Sequence, residues 1–358
     1  MRWPVASVLI GLVHFISFDA SAHSATLVAA QGEVAVRAPK ASQFASVASG
    51  ATITSGSRLK TGASGSATLK FADGTETKVR PKTQIIVRAA KKEEKSGLTV
   101  FFGRVWTSVV KRVGGDTAFE VHSANAVAGV RGTEFEVGVA DDGSTRVIVT
   151  RGKVDVGGDG EKGPVNIAAG FEIESGPQGG LARRRKAKRN ANWEGWFAKR
   201  AKVLVKRGTK VAKNLDGRLN RRKAKLERLL GEQRQLRDRI VALERKQKMG
   251  ADVGDELKAT LSRLERVTER IEDMQARLQA AFGLFERWGD VAEAGMVNEP
   301  ATMKRMAGNI RKIAADFADM IEEGTDLSEE GMDDMMKEME KGGTLRPKKG
   351  GAKDELFE

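Results

Sequence analysis

The chain has 358 residues, 62 Lys and Arg against 48 Asp and Glu, a formal net charge of +14, and no cysteine or tyrosine. That length points to two or three domains with ample sequence for at least one core. The missing cysteines exclude disulfides, zinc ribbons, iron–sulfur clusters, a thiol nucleophile and a lipobox, and His14, His23 and His122 alone supply no multi-histidine metal site. No cofactor is expected. The charge is unevenly placed: residues 26–180 carry 20 basic and 16 acidic side chains, residues 181–225 carry 18 and 2, and residues 226–358 carry 23 and 29. The basic excess therefore sits in one short neck.

At the amino terminus Arg2 precedes a mostly apolar run from Val5 to Phe18, followed by Ala20-Ser21-Ala22. This reads as a secretory signal peptide over residues 1–22, cut after Ala22. The run falls short of the ~20 apolar residues that span a bilayer, and the alternative is an uncleaved anchor. Export, with the periplasm of a Gram-negative bacterium as the expected destination, demotes nucleic acid as a partner.

Residues 26–180 hold more than half of the glycines and are dense in Val, Thr and Ala. Ala67, Leu69 and Phe71 alternate with polar residues, Asp73-Gly74 turns the chain, and Thr75, Thr77 and Val79 return. The device recurs at Asp142-Gly143 between Phe135, Val137, Val139 and Val147, Val149. Asp-Gly between alternating runs is the strongest short hairpin signal, since a two-residue turn needs positive φ at both positions. Short strands punctuated every eight to twelve residues predict an all-β sandwich, barrel or solenoid.

Residues 181–225 form the neck, opened by the breaker run Gly176-Pro177-Gln178-Gly179-Gly180. After Arg183, Arg184, Arg185, Lys186, Lys188 and Arg189, apolar residues return in steps of three and four from Trp193, Trp196 and Phe197 to Leu215. The spacing predicts a basic amphipathic helix with an aromatic end, weakened by about 1 kcal/mol at each of Gly195, Gly208 and Gly217. One reading is a linker helix that packs its aromatic face on the β domain. The functional reading makes Arg183, Arg184, Arg185, Lys186, Lys188, Arg189, Trp193, Trp196, Lys199 and Arg200 a peripheral contact with an anionic membrane surface or envelope polymer, the aromatics at headgroup depth.

Residues 226–323 hold three heptad segments. They run through Leu226, Leu229, Gln233, Leu236, Ile240 and Leu243, then from Leu257 to Phe285, then from Met303 to Met320 after the helix start Asn298-Glu299-Pro300. Glycine breaks between them favour an antiparallel coiled-coil hairpin or helical bundle over one long parallel dimer, with homo-oligomerisation left open. In the tail, residues 324–358, the stretch begun at Glu322 carries nine acidic residues and one lysine by Glu340. That charge complements the neck, and folding back would mask it. The tail is read as frayed or disordered.

The β region resembles the FecR domain. The likeness rests on Gly32-Glu33-Val34, on Gly50 and then Gly56-Ser57-Arg58-Leu59-Lys60-Thr61-Gly62, and on Ala67 through Thr75. It continues with Gly103-Arg104-Val105-Trp106, with Ala126 through Phe135, and with Gly152-Lys153-Val154 and Ala169-Gly170. The resemblance implies a non-enzymatic periplasmic module with a twisted, short-stranded, β-solenoid-like fold; in signalling members it relays a receptor's signal to a cytoplasmic sigma factor. A cleaved signal peptide would separate this chain from such a relay. Within the most specific stretch, Arg131, Gly132, Thr133, Glu134 and Phe135 read either as a structural corner or, through Arg131, as a recognition site.

Other chemistry is thinly supported. His122 with Glu120, Ser123 and Asp116 nearby suggests a triad only in sequence, because neighbours on a strand alternate faces. Gly157 to Gly163 lacks the Gly-Lys-Ser/Thr ending of a phosphate loop, and Asp141-Asp142-Gly143 is a turn before it is a calcium site. The expected fold class is mixed by domain: an all-β FecR-like domain, solenoid- or sandwich-like, then an α-helical coiled-coil or bundle region. The expected function is a non-enzymatic envelope scaffold that binds an envelope protein, or alternatively peptidoglycan or another glycan.

Overall fold

The computed structural model describes residues 24–39, 41–89, 95–111, 119–158, 163–295, 297–303, 305–306 and 308. The signal-peptide segment, most of the third heptad segment and the acidic tail lie outside the described residues. A large β region is followed by long helices, as the mixed layout expected.

The first strands are β1 (Ser24–Gln31), β2 (Val34–Arg37), β3 (Ala45–Ser46), β4 (Thr52–Thr54), β5 (Arg58–Thr61), β6 (Ser66–Phe71), β7 (Glu76–Val79) and β8 (Gln84–Arg88). A long strand follows, β9 (Ser96–Ser108). Then come β10 (Phe119–His122), β11 (Ala126–Val130), β12 (Glu134–Val139), β13 (Thr145–Arg151), β14 (Lys153–Gly158), β15 (Val165–Ala168), β16 (Phe171–Ser175) and β17 (Arg185–Lys186). One sheet runs β4-β1-β6-β7-β9-β12-β13-β16-β17. The other runs β3-β2-β5-β8-β9-β10-β11-β14-β15, with β9–β10 the parallel pair.

Strand β9 belongs to both sheets. Its first half pairs with β8 and β10, its second half with β7 and β12. The change of sheet occurs at Gly103, where φ is +99°. A Cβ there would stand 2.3–2.6 Å from Thr83, so both conformation and space demand glycine. Alternating residues of the two sheets then share one core, with Leu27, Leu59, Leu69, Ile85, Leu98, Phe119, Phe135 and Ile167 fully buried.

Both Asp-Gly hairpins form, with a different turn from the one expected. Only the glycines take positive φ, +84° at Gly74 and +80° at Gly143. Each aspartate instead accepts a hydrogen bond from the backbone N–H two residues on, Thr75 to Asp73 at 2.8 Å and Ser144 to Asp142 at 2.9 Å. The side chain does part of the turning, so one left-handed residue is enough.

Helix α1 (Trp193–Lys248) begins twelve positions later than the start of the neck, because Arg185 and Lys186 pair with β16 as an edge strand. It kinks at Arg207 (φ −134°, ψ 19°), beside Gly208, one of the glycines expected to weaken it. Helix α2 spans Gly254–Glu293, and the chain is helical again from Pro300. The chain divides into two compact units. One takes residues 1–222 and 268–307, joining the β region to the base of both helices; the other takes 223–267 and 308–358.

Within the second unit α1 and α2 run antiparallel, as the pairs Arg239–Glu256 (2.6 Å) and Arg263–Glu232 (2.7 Å) require. Leu226, Leu229, Gln233, Leu236, Ile240 and Leu243 are all buried along α1, whereas Leu261 on α2 stays exposed. Among the described residues no helix is long and apolar enough to cross a membrane.

The double role of β9 makes Gly103 a sharp test. Gly103→Ala is expected to destabilise the protein by about 2–4 kcal/mol, from backbone strain plus the clash with Thr83, measured as a lower urea midpoint in equilibrium unfolding.

Candidate functional site

The Arg131–Phe135 stretch joins β11 to β12. Gly132 has φ +62°, and a Cβ there would press on the Lys111 side chain at 2.8 Å. Thr133 is buried and donates to the Lys153 carbonyl at 2.9 Å, Phe135 is fully buried, and Glu134 pairs with Arg151 at 3.1 Å. Thr133 and Phe135 therefore serve the core, while Arg131 stands at the surface.

In the neck the structure separates residues that sequence had grouped. Trp193 and Trp196 are buried, at 6% and 7% exposure, so they are not surface anchors. Trp193 lies over Gly138 of β12, where a Cβ would come within 2.4 Å of the indole, and its Nε1 donates to Glu136 at 2.6 Å. Trp196 Nε1 donates to Glu174 at 3.1 Å, and Phe197 completes a cluster of edge-on and tilted rings. Buried indoles require an acceptor and a flat apolar seat, and the sheet offers both. This corrects their assignment to a membrane headgroup layer and agrees with the linker-helix alternative.

Two of the arginines are committed to ion pairs with β16, Arg200 half-buried and Arg185 still largely exposed. Glu172 and Glu174 on β16 are nearly buried and take Arg146, Arg185 and Arg200, with Arg185 to Glu174 at 2.6 Å and Arg200 to Glu174 at 2.9 Å. Arg183, Arg184, Lys186, Lys188, Arg189 and Lys199 remain exposed. Arg184 reaches back weakly, to the Asn166 carbonyl at 3.4 Å and over the Phe171 ring.

Further along α1, Arg218 and Arg222 are buried and clamp backbone: Arg218 donates to the Pro177 carbonyl at 3.0 Å and Arg222 to the Ala124 carbonyl at 2.7 Å. Helix α2 contributes the matching set. Trp288 donates to the Asp141 carbonyl, Arg287 pairs with the Asp141 carboxylate at 3.3 Å, and Arg58 of β5 pairs with Glu286 at 2.8 Å. Gly283 receives the Phe101 ring, which a Cβ would meet at 2.3 Å. Sequence reasoning missed these contacts. The available signals were a glycine inside a helix, Gly283, and an Arg pair four apart on an apolar helix face, Arg218 and Arg222.

His122 is fully buried between β10 and α2. Nε2 is 2.9 Å from Glu120 and Nδ1 is 3.5 Å from Asp273. Lys95 bridges Glu120 and Glu269, and Arg88 faces the same group. Ser123 turns elsewhere, to the Ala126 carbonyl (3.0 Å) and Thr145 (2.8 Å), and Asp116 lies outside the described residues. Burial pushes the imidazole below its ordinary range, against the hydrogen bond with Glu120. Burial alone would raise the Glu120 carboxyl, but the hydrogen bond and charge of His122, with Lys95 and Arg88, hold it at about 2.

A FecR domain, from the family described as FecR protein, is found at residues 57–155. That span contains the β5–β14 strands, the β9 crossover and the Arg131–Phe135 turn. Among solved structures, two crystal structures of a candidate anti-sigma factor from Parabacteroides distasonis ATCC 8503, at 1.65 and 2.50 Å resolution, are 18% identical to the chain. Each match covers 36% of this chain and 59% of that one, with a TM-score of 0.32, an overlap that does not define a shared fold. No curated protein is significantly similar.

Two outcomes follow. Trp193→Ala is expected to cost about 3–5 kcal/mol in unfolding, from the emptied seat on Gly138 and the orphaned Glu136. Because the folded pKa of both His122 and Glu120 is lowered, the unfolded chain takes up protons first, and stability falls with pH. The His122 contribution is lost as pH drops below about 6.5, and that of Glu120 between about 4.5 and 2. Urea midpoints measured from pH 7 to pH 5 should decline, and the decline should flatten in His122→Gln.

Proposed function

We propose that this chain is an exported, non-enzymatic binding protein of the bacterial envelope, resident in the periplasm. The observation that carries the reading is the FecR domain at residues 57–155. In this reading the β region is the recognition or signalling module for an envelope protein, with Arg131 on its surface as a contact. The β region is read as the twisted, solenoid-like form that the resemblance implies. The helices, read as an antiparallel coiled coil from their heptads, position or oligomerise the module. The basic surface of Arg183, Arg184, Lys186, Lys188, Arg189 and Lys199 supplies peripheral attachment to an anionic surface, by charge alone because the neighbouring tryptophans are buried.

Crosslinking in intact cells, followed by mass spectrometry of what residues 26–180 capture, tests the main reading. Capture of an inner-membrane signalling protein is the expected result, and capture of glycan fragments would replace it with the glycan-binding alternative. Separately, replacing Arg183, Arg184 and Lys188 by Glu should weaken binding to phosphatidylglycerol vesicles by roughly fivefold per residue at low salt; unchanged binding removes the attachment surface.

A further inference from the structure

The outer edge of β16 is closed by the chain itself. A turn through Gly179 (φ +77°) and Gly180 (φ +72°) brings the backbone round beside the strand it has just left. Leu181 bridges to Ser175, and the Ala182 N–H donates to the Glu174 carbonyl at 2.7 Å. Arg185 and Lys186 then pair with Glu172 and Phe171 as β17, and the Ala187 N–H donates to the Gly170 carbonyl at 2.8 Å. Residues 181–187 thus form a strap along the edge.

The strap fits its edge imperfectly. From Leu181 to Arg185 it advances four positions while β16 advances three, from Ser175 to Glu172. The extra residue is a bulge, which interrupts the ladder. Residues 182–186 are all exposed, so their bonds to the edge compete with water. On its other side β16 pairs with β13 in an unshifted register from Thr145–Ser175 to Ile148–Glu172. A strand without a bulge can pair every residue from Phe171 to Ser175, which the strap does not. The side chains say what such a strand carries. Glu172 and Glu174 lie two apart on one face of β16, and Arg185 pairs with both, at 2.5 and 2.6 Å. A replacement strand keeps those pairs only with a basic residue in that place.

We propose that the β16 edge is a strand-addition site for an extended, basic segment of a partner protein, and that the strap is its displaceable occupant. The partner's being an envelope protein rests on the reading given under Proposed function. The test uses the full chain and a labelled synthetic peptide of residues 181–189, the strap's own sequence, in fluorescence anisotropy at about 0.15 M salt. The Ala182→Pro/Ala187→Pro chain lacks the strap's two terminal N–H donors. It is expected to bind the peptide at least about tenfold more tightly than the parent, whose edge is occupied most of the time. Amide exchange of residues 171–175 should rise in this variant and fall again when peptide is added. A peptide with prolines at the same two positions has the same charge and should not bind. Arg185→Ala keeps every backbone donor and loosens only the ion pairs, so its affinity should lie between the two, and it decides the matter if the double-proline chain does not fold.

Equal affinity of the parent and Arg185→Ala for the peptide would overturn the proposal. So would equal binding of the proline-bearing peptide, since charge alone then suffices. Dimerisation of Arg185→Ala without peptide would assign the edge to a second copy of the chain and overturn it as well. Each of these results leaves protein recognition by the β region to its own crosslinking test, which capture through another surface would still satisfy.

Discussion

The arrangement depends on two glycine seats that face in opposite directions. Gly138 on β12 receives Trp193 from α1, and Gly283 on α2 receives Phe101 from β9. Each donor ring is large and flat, and each seat lacks the Cβ that would hold it off, so helix and sheet approach to van der Waals contact at both places. The polar contacts around them, Trp193 to Glu136, Trp288 to Asp141 and Arg222 to Ala124, satisfy groups that this close approach has already desolvated. Remove the seats and those buried donors lose their acceptors as well. The FecR domain at residues 57–155 is therefore packed in one compact unit with the α1 and α2 residues that carry these contacts.

That docking also sorts the basic charge. In sequence the neck is a uniform +16 stretch; in the structure it has three fates. Arg185 and Arg200 neutralise Glu172 and Glu174, Arg218 and Arg222 become backbone clamps, and the remainder faces solvent. A guanidinium carries several N–H donors in a fixed fork, and arginine rather than lysine occupies these positions. Lysine occupies the exposed positions 206, 210 and 213 of the same helix, where a compact, strongly hydrated charge stays in water.

His122 lies where β10 meets α2. It couples β10 to Asp273 of α2 through a cluster that also includes Glu120, Lys95 and Glu269. A cluster of this kind welds a strand to a helix electrostatically and makes the weld dependent on protonation. It is a structural role for a residue whose neighbours suggested a triad only in sequence.

Much of the outline was legible from local pattern. The alternation around Asp73-Gly74 and Asp142-Gly143 marked hairpins, the Leu226 to Leu243 repeat marked a buried helical stripe, and the Val-Arg-Gly-Thr-Glu-Phe stretch marked the FecR domain found at residues 57–155. Those features repeat at two or at three to four residues, so neighbours in sequence carry the information. What tertiary structure alone decided lies between distant positions: β9 changing sheets at Gly103, Trp193 seated on a glycine 55 residues earlier, Arg222 closing on a carbonyl 98 residues away. A side chain's own spacing shows that it can face a core or a solvent. Which partner meets it there depends on how strands and helices pack, and that packing chose, of the two readings open for Trp193, the seat on the β region, and gave Arg222 a carbonyl that its spacing could not name.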